Sequence, residues 1–175
     1  MTINMNEAGL NDLIDELGVA AEEAARPAAQ AAAQVLYNEV KRNVDALGKH
    51  TGNLSGAIYQ AFSRDHSGPG YATYHVSWNA RKAPHGHLVE YGHIQRYAVY
   101  IGSDGNWYTA VRPEMRGKPR PKRKAPQAVK DAYYVLRDGG PVQIAAKSFV
   151  RRAASAFPAA LDAAERELLK RIMKG

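Results

Sequence analysis

The chain has 175 residues, enough for one domain with a core of its own, and is expected to fold as a single domain over 1–175. It carries 24 Lys and Arg against 17 Asp and Glu, a formal net charge of +7, and no cysteine, which excludes disulfides, thiolate zinc sites and cysteine nucleophiles and fits a reducing cytosol. No run approaches the roughly 20 apolar residues that a membrane helix needs, and the opening "MTINMNEAGLNDLIDELG" has acids where a signal peptide would be basic and then apolar, so neither a membrane span nor an export signal is expected.

Residues 1–18 are expected to form a mobile N-terminal segment. Within it Leu10, Leu13, Ile14 and Leu17 fall at the spacing of a short amphipathic helix over 7–17, which Gly18 should end or bend. From Val19 to Leu47 Ala28, Ala32, Val35, Leu36, Val40, Val44 and Leu47 recur every three or four residues, opposite Gln30, Gln34, Asn38, Lys41, Arg42 and Asp45. That is a long helix. Pro27 either opens its second half as a first-turn residue or kinks it, and Gly48 is placed to cap its end. Asn53 can cap a further short helix over 54–62, with Leu54, Ala57, Ile58 and Ala61 on one face.

After the turn-rich "SRDHSGPG" the period changes from helical to two. In "YATYHVSWN" Ala72, Tyr74, Val76 and Trp78 alternate with polar residues, the pattern of a half-buried strand. A second strand is read from "IQRYAVYIG" and a third from "NWYTAVR", joined by "SDGN", whose Asp104-Gly105 suits a hairpin turn. "RPEMRGKPRPKRK", Arg112 to Lys124, then sets seven Lys or Arg (Arg112, Arg116, Lys118, Arg120, Lys122, Arg123, Lys124) against Glu114, a local excess of six. Pro113, Pro119, Pro121 and Gly117 oppose a helix or central strand there, so residues 112–126 are expected as a flexible, exposed basic loop. "QAVKDAYYVLR" reads as a helix on Ala128, Val129, Ala132, Tyr133 and Leu136, or as a strand in its last half, and "DGGP" breaks it. The last segment, 147–173, carries the stripe Phe149, Ala153, Phe157, Leu161, Ala164, Leu168 and Ile172 of an amphipathic helix, with Asp162–Arg166 and Glu167–Arg171 as pairs four apart; Pro158 should bend or restart it. The order of helix, strands and helix predicts an α+β fold, an antiparallel β-sheet packed against a long N-terminal helix and a C-terminal helix.

Three histidines and a glutamate crowd "KAPHGHLVEYGH", Lys82 to His93. As metal ligands His85, His87, Glu90 and His93 would serve a metal-dependent hydrolase or nuclease, but His-x-His alone is a weak signal and no His-Glu-x-x-His accompanies it. The simpler reading is a structural turn in which Leu88, Val89 and Tyr91 face inward, Glu90 bonds to backbone amides or a nearby Arg, Gly92 frees the chain for the next strand and the histidines are surface or interface groups. No Gly-x-Ser-x-Gly is present, and "GKHTG" at 48–52 lacks the upstream glycine and preceding strand of a phosphate loop. No cofactor is expected. The basic loop, by contrast, can attract a polyanion through counterion release alone, which makes sequence-independent contact with DNA a reading to weigh.

"HTGNLSGAI", "APHGHLVEYGH" and "KSFVRRAASAFPAALDAAERELLKRI", in that order, resemble the head-to-tail joining and tail-completion proteins of long-tailed bacteriophages. The matching positions are Thr51, Gly52 and Leu54; Ala83, Pro84, Val89, Glu90, Tyr91 and Gly92; and Phe149, Val150, Arg151 and Ala153 at the start of the final helix. His93 departs from the usual Thr, Arg152 from a frequent Pro, and 94–146 is longer than usual. The resemblance implies a non-enzymatic ring subunit, commonly a hexamer, that joins copies of itself, the tail tube or terminator and head-connector proteins around the DNA channel. It also implies a place in the virion, after assembly in the host cytoplasm.

Overall fold

The computed structural model describes residues 7–48 and 52–174; Thr51 of the Thr-Gly-x-Leu motif lies outside them. The fold is α+β as expected, but its strands form three separate antiparallel pairs instead of one sheet.

The first helix, α1, runs unbroken over Glu7–Asp45, about 58 Å at the usual rise per residue. Neither Gly18 nor Pro27 divides it. The twelve residues after Gly18 include six alanines, the strongest helix former, which offsets the glycine and the missing proline N–H. Gly48, with φ +83°, takes the left-handed turn beyond its last carbonyls.

Residues 54–62, expected as a helix, are a 3-10 turn (Ser55–Ala57) followed by strand β1 (Ile58–Gly68). Leu54, Ala57, Ile58 and Ala61 fit a helical period, but pairing with β2 (Tyr71–Trp78) decides the conformation. Ile58 faces Trp78, Gln60 faces Val76 and Phe62 faces Tyr74, the last two rings 5.4 Å apart. "SRDHSG" is therefore strand, carrying an irregularity between Ser63 and Gly68 that Ser67 stitches by donating to the Ser63 carbonyl and accepting from the Thr73 amide. The turn itself is confined to Pro69 and Gly70.

The next elements are α2 (Gly86–Tyr91), β3 (His93–Gln95), β4 (Val99–Ile101) and β5 (Trp107–Thr109). The single strand expected over 94–102 is thus two pieces. β4 pairs with β5 through the Gly105 turn, whereas β3 pairs with β6 (Val142–Ile144), which follows α3 (Gln127–Tyr133). α3 is shorter than the helical reading; Tyr134 and Leu136 already form bridges to Val111 and Tyr97, which bears out the strand-like alternative for that end. β3 and β6 close the base of a lobe, residues 93–144, whose interior holds Tyr97, Tyr133 and Tyr134 in ring contact at 4.9 to 5.0 Å.

The C-terminal segment is a 3-10 turn (Arg151–Ala156) and then α4 (Phe157–Ile172), restarted with Pro158 in its first turn, where a proline N–H would be unpaired in any case. Its buried residue is Ala160, while Phe157 and Leu161, expected inside, are 54% and 68% exposed. Of the two expected ion pairs Glu167–Arg171 forms, at 2.8 Å; Arg166 instead donates to the Asp162 carbonyl. Buried Ala24, Ala28 and Ala33 on α1 and Ala160 on α4 give small faces where the two helices pack. The core proper gathers Val40 and Val44 of α1, Ile58 of β1, and Phe149 and Ala153, with Trp78 edge-on to Phe149 at 5.5 Å. Among the described residues no helix is long and apolar enough to cross a membrane.

Gly86 touches this core through Trp78: a Cβ there would lie 2.3 Å from Trp78 Nε1. Gly86→Ala should displace the indole from Phe149 and lower stability by about 1–3 kcal/mol, read as a lower urea midpoint with unchanged slope.

Candidate functional site

The segments 83–92 and 149–153 meet at Glu90. Its side chain is 1% exposed, yet it lies on the one-and-a-half-turn helix α2 with a carboxylate to satisfy. Oε2 accepts the Val150 amide at 2.9 Å and Oε1 accepts both the Arg151 amide and Arg151 Nε at 3.1 Å. The carboxylate thereby caps the 3-10 turn Arg151–Ala156, satisfying amides that no residue of that turn can reach. These are the two kinds of partner expected for Glu90.

Backbone contacts close the same joint. Arg151 Nη2 donates to the Glu90 carbonyl and to Ser148 Oγ, both at 2.8 Å; the Lys147 amide donates to the Val89 carbonyl at 2.8 Å. From the other side Asn43 of α1, buried, donates to the Phe149 carbonyl at 3.1 Å. Gly92 leaves the joint at φ +73°, where a Cβ would stand 2.5 Å from the Ile144 carbonyl oxygen. Ala83 and Phe149 are fully buried and Val89 and Val150 pack on the core. Tyr91 corrects the inward reading: it is 63% exposed, its ring covered on one side by the Arg151 guanidinium at 5.0 Å. Pro84 is exposed, and Gly52 and Leu54 lie across the chain in a recess of 390 Å³ bordered also by His85, Val89 and Lys147.

The histidines do not converge with Glu90. His85 and His87 are exposed, His87 Nδ1 sits 2.8 Å from the Pro84 carbonyl, and His93 lies in β3 with Nδ1 buried and without a hydrogen bond. Among the described residues no three His, Asp or Glu side chains group as a metal site. Glu90, turned to Val150 and Arg151, has its oxygens committed.

The basic loop follows β5. Arg116, Lys118, Arg120, Lys122, Arg123 and Lys124 are exposed and Arg112 half-buried. Its backbone is strapped to α3, with Tyr133 donating its hydroxyl to the Lys118 carbonyl at 2.9 Å and Lys130 donating to the Arg123 carbonyl at 2.7 Å. Tyr100, Tyr133, Arg116, Lys118 and Arg120 border an open recess of 610 Å³.

Sequence reasoning passed over two features. Asn43 is a lone amide inside the stripe Val40, Val44, Leu47, and that misfit was its signal. Asp131 on α3 joins Arg96 at 2.6 and 2.9 Å, Tyr97 and Gln127; these partners are scattered along the chain and leave no local pattern. The Arg96 guanidinium first, then Gln127, holds the Asp131 carboxyl well below the usual range.

Residues 8–92 match the profile of the family described as "Bacteriophage HK97-gp10, putative tail-component". The resemblance to phage tail components therefore holds over α1, β1, β2 and α2, and stops at the glycine that leaves the joint. No curated protein and no solved structure matches the chain.

Glu90→Ala should leave the part-buried Val150 and Arg151 amides without their acceptor and lower stability by about 2–4 kcal/mol, with Glu90→Gln intermediate, both measured by urea denaturation. Because the Asp131 carboxyl is depressed on folding, its contribution is complete above about pH 4 and is lost as pH falls from there towards its folded value. Amides of α3 should exchange faster at pH 2.5 than at pH 5 after correction for intrinsic rates, and Asp131→Asn should flatten that dependence.

Proposed function

We propose that this protein is a structural subunit of a tailed-phage virion that completes the tail, forming a ring with copies of itself. In that ring it docks to the tail tube or terminator on one side and head-connector proteins on the other, around the DNA channel. The family match over residues 8–92 is the observation that carries the reading.

The shape of the molecule supports it. Glu90 and Arg151 tie α2 to the C-terminal turn, a shared core ties that turn to α1 and the β1–β2 pair, and some large apolar side chains are left outside. Phe157 and Leu161 stand exposed at i and i+4 on α4, beside an apolar groove of 510 Å³ between α1, β2 and Phe157. A rigid body with apolar faces at different places is suited to contacts that repeat around an axis and close. Residues that would have served a metal-dependent hydrolase, His85, His87, Glu90 and His93, point to separate surroundings, and that reading gains nothing from the geometry.

Light scattering over a concentration series should show association above the monomer mass. Negative-stain images of the purified protein with its tail tube should show rings, six subunits being expected. A strict monomer under both conditions would overturn the reading.

A further inference from the structure

Two surfaces of this chain are exposed and opposite in charge. The first is the N-terminal arm of α1. Asp12, Ile14, Asp15, Glu16, Leu17 and Val19 are all exposed, so the helix there is not covered on any side that these residues face. Ile14, Leu17 and Val19 are 56%, 45% and 59% exposed. The first 25 residues hold six carboxylates and no Lys or Arg. The second surface is the β4–β5 hairpin with the loop behind it. All six strand residues are exposed, Tyr100 and Ile101 each by 54%, and an isolated two-stranded ribbon is marginal in water. Beside Tyr100 stand Arg116, Lys118 and Arg120, within the loop's local excess of six positive charges.

We propose that the hairpin and basic loop of one copy receive the acidic, apolar arm of α1 from the next copy, in a head-to-tail contact. The inference rests on the ring reading above and names the surfaces that make the ring. Charge complementarity chooses the occupant: an excess of six cations meets a helix with six carboxylates, and among the described residues no ion pair joins the two within one chain. DNA would satisfy the cations but would leave the exposed faces of Tyr100 and Ile101 in water, whereas Ile14, Leu17 and Val19 bring apolar side chains to them. An amphipathic helix laid on a partly apolar surface is a recurrent mode of recognition. The two surfaces differ, so the contact is heterologous, and repetition of it closes a ring or extends a filament.

The test is a charge exchange at exposed positions, with folding checked by circular dichroism. One variant carries Lys122→Glu, Arg123→Glu and Lys124→Glu; the other carries Asp12→Lys, Asp15→Lys and Glu16→Lys. Each alone should move the association midpoint in sedimentation velocity to roughly ten- to a hundredfold higher concentration. An equimolar mixture should restore it, because an acidic loop then meets a basic arm and a basic loop an acidic one. Wild-type protein that associates while both variants do so equally well, or variants that the mixture fails to rescue, would overturn this contact and leave the ring reading standing. So would loss of binding to a short DNA duplex on loop reversal with association unchanged, which would assign the loop to DNA. Wild-type protein that stays monomeric throughout, with tail tube present, would remove the ring reading and this inference together.

Discussion

The buried carboxylate of Glu90 is the constraint on which the rest of the body depends. A charge enclosed to 1% exposure is expensive unless its lone pairs are filled, and here two backbone amides and a guanidinium fill them. Arg151 is itself more than half exposed, so the ion pair is screened on its side. The amides, fixed by the backbone of the turn, make the position specific. They also explain why a residue on α2 determines where a turn sixty residues later begins.

That joint has consequences in both directions along the chain. Phe149 follows Ser148, held at φ 47°, and is delivered into the core against Trp78 and the Asn43 side chain of α1. Val150 and Arg151 then start the 3-10 turn that leads into α4, which packs back on α1. The segments 83–92 and 149–153 are consequently one structural unit, although the family match includes only the first of them.

Legibility followed the range of the interactions. The long helices, the β2 strand and the Gly105 hairpin were readable because period and turn chemistry act within a few residues. So was the nature of Glu90's partners, since a lone acid among Leu88, Val89 and Tyr91 must find donors. The 54–62 strand was not readable: its apolar spacing suits a helix, and only pairing with β2 settles it. Phe157 and Leu161 failed for a similar reason, because the packing face of α4 is chosen by the alanines of α1, which admit the small Ala160 side and turn the large residues out. Tyr91 fooled the hydropathy pattern by lying under a guanidinium instead of in the core.

The placement of the lobe fits the same logic. It leaves the body at Gly92 and returns through β6 to Lys147, so its two ends are already held side by side by the β3–β6 ladder and by the Lys147 to Val89 hydrogen bond. A lobe whose ends are fixed in this way costs little loop-closure entropy. It carries its own aromatic contacts at Tyr97, Tyr133 and Tyr134 and its own ion pair at Arg96 and Asp131. The hairpin and the cations can therefore be displayed on the outside of a body whose stability is set elsewhere. Changes within the lobe need not pass through Glu90.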